Sequence, residues 1–288
     1  MPDGILIIDK PADWTSMDVC AKVRGILRER RVGHGGTLDP MATGVLPVFV
    51  GRATRAVEFA EKGRKEYVAG LRLGITTNTQ DTTGDVLEER PASVSREQVE
   101  AALGRFLGDI QQIPPMYSAI KVNGQKLYEL ARKGQEVERK PRSVTIYELE
   151  LLEQTGEAEY TFRCLCSKGT YIRTLCHDVG QVLGCGAAMS SLRRTMAAGF
   201  SLDQAVTLED VQARGDSLLL PTDSLFAGHP PLLLQSDTAE RRVRCGNPIS
   251  LPGTPDGTYR IYGRNRDFLC LSRAEHGTLT SIKNFFGA

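Results

Sequence analysis

A chain of 288 residues, 41% hydrophobic and 25% charged, holds enough apolar material for a buried core and suits one large domain or two. No window approaches the roughly 18 consecutive apolar residues of a membrane span, and Met1-Pro2-Asp3-Gly4 lacks the basic and apolar regions of a secretory signal, so a cytoplasmic protein without a membrane partner is expected. The net charge of +1 conceals segregation: Lys and Arg exceed Asp and Glu by 12 to 7 over residues 10–72, 7 to 3 over 121–146 and 8 to 3 over 241–288, whereas acids dominate 81–110 and 147–163. Folding that gathered the basic stretches would give a positive groove on a near-neutral body; left apart, they are solvated surface.

Gly4-Ile5-Leu6-Ile7-Ile8-Asp9 is a short apolar run that predicts a buried strand. Ser16 can cap a helix whose Val19, Val23, Ile26 and Leu27 recur at helical spacing. A strand over 45–50, a short helix over 53–61 and a strand over 67–73 follow. Ser95-Arg96-Glu97-Gln98 has the form of a capping box ahead of an amphipathic helix carrying Val99, Ala102, Leu103, Phe106 and Leu107. Strands are expected near 144–152 and 158–166, then an extended segment over 170–174 and a helix near 175–183. Cys164 and Cys166, two apart in a strand, share a face with Phe162, most simply the core. The seven cysteines contain no Cys-x-x-Cys pair, which argues for a reducing compartment. Cys164, Cys166, Cys176 and His177 match no standard zinc spacing, and no metal is expected.

Residues 111–143 interrupt this pattern with Pro114-Pro115, several glycines and seven basic residues between Lys121 and Arg142, a polar excursion of the kind that is functional or mobile. From about residue 230, turn signals at Pro230-Pro231, Asn247-Pro248, Pro252-Gly253 and Asp256-Gly257 separate short apolar runs, which predicts a small all-β module over 229–288 after a first domain over 1–228. The whole is expected to be α+β, with a central, mainly antiparallel mixed sheet flanked by helices.

One segment carries the most chemistry: Gly33-His34-Gly35-Gly36-Thr37-Leu38-Asp39-Pro40-Met41-Ala42-Thr43-Gly44. It sets a carboxylate at the tip of a glycine-rich turn, and Pro40 biases Asp39 toward extended backbone. A carboxylate aimed in this way suits a nucleophile or a general base. With no second histidine or acid at ligand spacing, His34 is not expected to hold a metal, which leaves a base or a shape element. Tyr171 and Arg173, two apart in a segment read as extended, would leave one face, a ring to stack and a cation to pair. Tyr67 by itself is equally a tyrosine at a strand start, and Leu192 equally plain core.

The stretch from Val32 to Leu46 resembles the catalytic-aspartate motif of the TruB family of tRNA pseudouridine synthases. Lys65-Glu66-Tyr67, the run Pro114 to Lys121, Ser167-Lys168-Gly169-Thr170-Tyr171-Ile172-Arg173 and Leu192-Arg193-Arg194 extend the resemblance, in the family's order, over roughly residues 4–225. It implies the pseudouridine synthase fold, a thumb-like insertion over about 111–143 that closes on an RNA stem-loop, and a PUA-like RNA-binding module in the tail. It further implies isomerisation of uridine 55 to pseudouridine in the T-loop of tRNA, by base flipping and without cofactor. Carried over residue by residue, Asp39 is the catalytic carboxylate, held ionised by Arg173. Tyr67 stacks on the target base, Tyr171 is the later base or its positioner, and His34 packs against the flipped nucleotide. Lys10, Leu192 and Lys121 match positions that support the pocket and the RNA. Position 35 departs from the pattern, being glycine where relatives often carry threonine.

The rival reading is a non-catalytic tRNA-binding or folding factor using the same surface, which would not need Asp39. A guide-RNA-dependent relative is the third. The short chain and its own thumb segment favour a stand-alone monomer with no obligate protein partner or guide RNA.

Overall fold

Residues 2–122 and 124–286 are described by the structure, a computed structural model. Its large sheet runs, from one edge, through Gly4–Lys10, Thr43–Val50, Ala187–Ala197, Lys65–Leu73, Glu159–Cys166, Arg142–Gly156 and Gly108–Gln112, with Val32–His34 and Phe200–Ser201 paired alongside. Every pairing in this sheet is antiparallel except that of Thr43–Val50 with Ala187–Ala197. Those two backbones meet closely at Gly44, where a Cβ would lie 2.2 Å from the Arg194 carbonyl oxygen and φ is +100°. No other residue type fits there.

The first strand is apolar from Ile5 to Ile8 because both its faces are covered. Leu6 and Ile8 enter the main core with helices Ser16–Leu27, Ile172–Leu183 and Leu208–Arg214. Ile5 and Ile7 enter a second core with Phe49, Phe200 and Phe226. The central strands instead alternate. Tyr160, Phe162, Cys164 and Cys166 are buried, as the strand period predicts, and all seven cysteines are free thiols. On the opposite face Arg163 sits within 3.1 Å of carboxylates on Glu66, Glu148 and Glu150.

Three elements differ from expectation. The first helix is capped by Thr15, whose hydroxyl accepts from the Asp18 amide while the Asp18 carboxylate accepts from the Thr15 amide. Ser16 is therefore free for another task, described below. Residues 51–62 form a 3₁₀ turn followed by helix Val57–Lys62. Helix Ile172–Leu183 begins three residues early, so Arg173 lies in its first turn and Tyr171 is its N-cap residue; the pair does not share the face of a strand. The capping box at Ser95 forms as its sequence predicts, opening helix Arg96–Gly104.

The insertion leaves the sheet after Gln112 and rejoins it at Arg142, which pairs with Gln112. Between them, hairpin Lys121–Val122/Gln125–Lys126 and helix Leu127–Ala131 close a small core of their own around Met116, Leu127 and Leu130. Toward the C-terminus a five-stranded sheet runs Pro231–Leu233, Gly257–Tyr262, Phe268–Glu275, Thr278–Asn284 and Ile249–Ser250. One helix that the turn signals do not announce, Asp237–Arg244, accompanies it. Phe59 and Phe226 pack edge to face, and Phe226 also meets Phe268 of this sheet and Phe285, just past its strand Thr278–Asn284. Lys283 adds an ion pair to Glu58 at 2.7 Å. No helix among the described residues is long and apolar enough to cross a membrane.

Candidate active site

The loop between Val32–His34 and Thr43–Val50 is held almost wholly through its backbone. Ser16 Oγ accepts a hydrogen bond from the Leu38 amide at 2.9 Å, tying the loop to the start of the first helix. Lys10, fully buried, donates to the carbonyls of Pro40 at 3.0 Å, Pro11 at 2.8 Å and Trp14. Arg194, also fully buried, donates to the carbonyls of Val45 at 2.7 Å and Gly36 at 3.1 Å, with Thr37 at 3.4 Å. Two cations thus grip carbonyl oxygens on either side of Asp39, a use of charge that needs no carboxylate partner. Gly35 fits beneath the loop because a Cβ there would lie 2.7 Å from that of Ala60. The closeness of this helix accounts for glycine at position 35.

Asp39 projects from this scaffold with 37% of its side chain exposed, and its Oδ2 lies 2.9 Å from Arg173 Nε. The arginine is fixed from the other side. Its terminal nitrogens donate to the carbonyls of Thr79 at 3.1 Å and Tyr117 at 2.9 Å, and one lies 3.7 Å from the Asp81 carboxylate. Asp81 is buried and accepts hydrogen bonds from the Thr79 hydroxyl and from the amide and hydroxyl of Thr83. A guanidinium with this many anchors cannot swing, so the carboxylate it holds is fixed as well.

Some of the other residues singled out in the sequence stand around the pair. Tyr67 is buried in its strand, in register with Arg194, and burial pushes its phenol up to about 12. Burial also raises the Tyr171 phenol, against the pull of the Ser118 hydroxyl and of Arg142 and Arg173. Both rings lie close enough to Asp39 to feel its charge. Burial and then Arg194 lower the His34 imidazole from its ordinary value, and its Nδ1 is buried without a partner. Burial lowers Lys10 to about 8, against the pull of Asp13 and Asp39. Leu192 is buried two residues before Arg194 on the same strand. Lys121 is exposed on the insertion's hairpin, away from the loop contacts just described. Arg194, Asp81 and Gln112, which carry so much of this geometry, received no individual role from the sequence. The signal for Asp81 was the run Thr79-Gln80-Asp81-Thr82-Thr83, whose short hydroxyl side chains suit a carboxylate-centred turn.

No three His, Cys, Asp or Glu side chains among the described residues gather in a way that could hold a metal. The arrangement offers one aimed carboxylate, a fixed cation, two protonated phenols and an approach from solvent. Such a set can attack or stabilise an electron-poor carbon and clasp a flat ring.

The architecture is that of pseudouridine synthases. It superposes on the crystal structure of a Cbf5-Nop10-Gar1 complex with a TM-score of 0.76 at 28% identity, over 99% of this chain and 85% of that one. A structure of an H/ACA RNP bound to a substrate RNA containing 2'-deoxyuridine matches equally, with a TM-score of 0.76 at 25% identity, over 99% and 86%. Residues 24–172 match the family model for the TruB family pseudouridylate synthase N-terminal domain, and residues 173–227 that for the tRNA pseudouridylate synthase B C-terminal domain. The tRNA pseudouridine synthase B of Alkaliphilus oremlandii is 52% identical over 77% of this chain and 74% of its own length. That of Stutzerimonas stutzeri is 47% identical over 92% and 90%. The chain belongs to the TruB family of pseudouridylate synthases and is an isomerase.

Proposed function

We propose that the protein isomerises uridine 55 to pseudouridine in the T-loop of tRNA, acting alone on a nucleotide flipped out of its stack. The observation that carries this reading is the Asp39 carboxylate, partly exposed at a loop tip and held 2.9 Å from a buried, multiply anchored Arg173. The names of the curated relatives, each a tRNA pseudouridine synthase B, supply the substrate class.

The reaction exchanges the C1′–N1 bond for C1′–C5 and moves one proton from C5 to N1; no electrons, phosphate or metal are consumed. Asp39 meets C1′ of the extruded nucleotide as nucleophile or as a counter-charge to the developing cation. Arg173 keeps that carboxylate ionised and oriented. Tyr67 stacks on the base and confines it while it turns. Burial keeps the Tyr171 phenol protonated near neutral pH, which favours positioning and relay of the C5 proton over action as a free-standing base. His34, half-buried and with its pKa lowered by that burial, packs against the flipped nucleotide. Extrusion costs a few kcal/mol, offset by stacking and phosphate contacts. The exposed cations Lys121, Arg132, Lys133, Lys140 and Arg142 give the insertion the charge to follow an RNA backbone. The C-terminal sheet serves as a PUA-like second RNA contact.

The test is incubation of the purified protein with an unmodified tRNA transcript, followed by carbodiimide labelling to locate pseudouridine. One pseudouridine at position 55 is expected, with none in a transcript carrying cytidine there. Asp39→Asn is expected to abolish product while leaving tRNA affinity within several-fold; full activity in that variant overturns the assignment.

A further inference from the structure

Gln112 is the last residue of strand Gly108–Gln112, at the point where the chain departs into the insertion, and its side chain is 1% exposed. A buried carboxamide needs both an acceptor and a donor as partners. Both are supplied by a single residue far along the chain: Gln112 Oε1 accepts from the Tyr171 amide at 3.0 Å, and Gln112 Nε2 donates to the Tyr171 carbonyl at 3.1 Å. Tyr171 is the N-cap residue of helix Ile172–Leu183 and has no side-chain cap of its own. Its carbonyl also accepts from Leu175 at 3.0 Å, as a helix start requires.

Two bonds to one residue's N–H and C=O fix the peptide planes on both sides of its Cα, and with them the direction of its Cβ. The direction of Cβ determines where the phenol reaches. Two residues on, Arg173 donates to the Tyr117 carbonyl at 2.9 Å, and the buried Ser118 hydroxyl lies beside the Tyr171 phenol. The root of the insertion, residues 112–118, is thus stitched to the segment carrying the phenol and the cation. The neighbouring Gln111 has no such part, because strand alternation turns it outward, where its amide meets Ser143 Oγ at 2.7 Å.

Resting on the proposed function, we infer that Gln112 is a positioning residue for Tyr171: its carboxamide clamps the backbone that aims the phenol and couples that aim to the base of the insertion. Glutamine is required over glutamate, since a carboxylate accepts from the Tyr171 amide but sets a second oxygen against the Tyr171 carbonyl. Protonation of that carboxyl restores the missing donor.

The test compares Gln112→Glu, Gln112→Met and the exposed control Gln111→Glu, with turnover normalised to folded protein. Gln112→Glu is expected to lose about tenfold or more in kcat at pH near 8.5, with KM and tRNA affinity within about twofold. Relative to wild type it recovers toward pH 6 as the buried carboxyl protonates. Gln112→Met loses kcat without that recovery, and Gln111→Glu behaves as wild type. A purely structural role would lower the melting temperature and leave normalised turnover and its pH profile unchanged. Independently of activity, exchange of the Tyr171 amide, followed by NMR on the protein alone, is expected to accelerate about tenfold or more in Gln112→Met while the Leu175 amide is unaffected. Unchanged exchange at Tyr171, kcat within twofold in both Gln112 variants, or an effect confined to KM overturns the inference. A wild-type protein that makes no pseudouridine overturns the proposed function, and the exchange comparison then still decides the clamp. Should Gln112→Met fail to fold, Gln112→Glu at high and low pH makes the same comparison.

Discussion

Arg173 Nε and Asp39 Oδ2 stand 2.9 Å apart, yet the arginine side chain is 6% exposed and the carboxylate 37%. The asymmetry divides their tasks. The cation is built into the protein by the carbonyls of Thr79 and Tyr117, and the acid is left free on its outer side to meet a substrate. A carboxylate held by such a fixed dipole needs little reorganisation when charge develops in front of it. Arg173→Ala is therefore expected to lower kcat by more than about a hundredfold, with tRNA affinity little changed. Arg173→Lys should restore only a small part, because one ammonium cannot reach Asp39 and both carbonyls together. Single-turnover assays with saturating enzyme separate this loss from weakened binding.

Asp81 extends the pair into a three-member array, its carboxylate 3.7 Å from the far side of the Arg173 guanidinium. Asp81→Asn removes the negative charge but keeps an acceptor for the Thr83 amide, so the turn around it should survive. The expected loss is about tenfold in kcat, smaller than for Arg173→Ala because the two carbonyl anchors remain. Since Asp81 acts through Arg173, the Asp81→Asn, Arg173→Ala double variant should be no slower than Arg173→Ala alone. Multiplicative losses in that cycle would show that Asp81 acts on the substrate by another route.

Lys10 sets a pH dependence of opposite sign to the familiar one for a paired lysine. Burial lowers its folded-state value to about 8, from an ordinary 10.5. Between these values the unfolded chain binds more protons than the folded one, so the Lys10 contribution to stability rises with pH across that window. Below about pH 8 both states are charged and the cost of burying the ammonium is fully present. Urea unfolding of wild type and Lys10→Met at pH 7 and pH 9.5 should therefore show wild type gaining on the variant at the higher pH. A difference that is flat, or that shrinks, contradicts a buried charged lysine. Lys65, also lowered to about 8 by burial, titrates in both proteins and cancels from the comparison.

The family was legible because the loop from Val32 to Leu46 and the segments at Tyr67 and Tyr171 are short contiguous strings whose chemistry survives without coordinates. The alternating run from Tyr160 to Cys166 fixed its own faces for the same reason. Strand Ala187–Ala197 was invisible because it breaks its own period: register shifts follow Met189 and Arg194, and a charged Arg194 is fully buried. The start of helix Ile172–Leu183 was misplaced because its N-cap is a tyrosine, supplied with partners by Gln112 from a strand 59 residues earlier. Helix caps made by the cap residue itself, as at Ser95, can be read locally; those made by tertiary contact cannot.

The insertion offers the last test, one of binding rather than chemistry. Lys133 and Lys140 are exposed, and Lys126 stands over the Tyr128 ring at 5.3 Å, with Arg132 at 5.5 Å from the same ring. None of these three lysines forms an ion pair with a described carboxylate, so each is available to a phosphate. Replacing all three by glutamine is expected to weaken tRNA binding and to reduce the slope of log affinity against log salt by about two to three, near 0.7–0.9 for each phosphate no longer neutralised. The small core of Met116, Leu127 and Leu130 is untouched by the substitutions, so the melting temperature should hold. Single-turnover kcat at saturating enzyme should hold as well, because none of these side chains is among the partners of Asp39 or Arg173. A lower affinity at unchanged salt slope would mean that the insertion meets RNA through its shape and its aromatic ring, not through its charge.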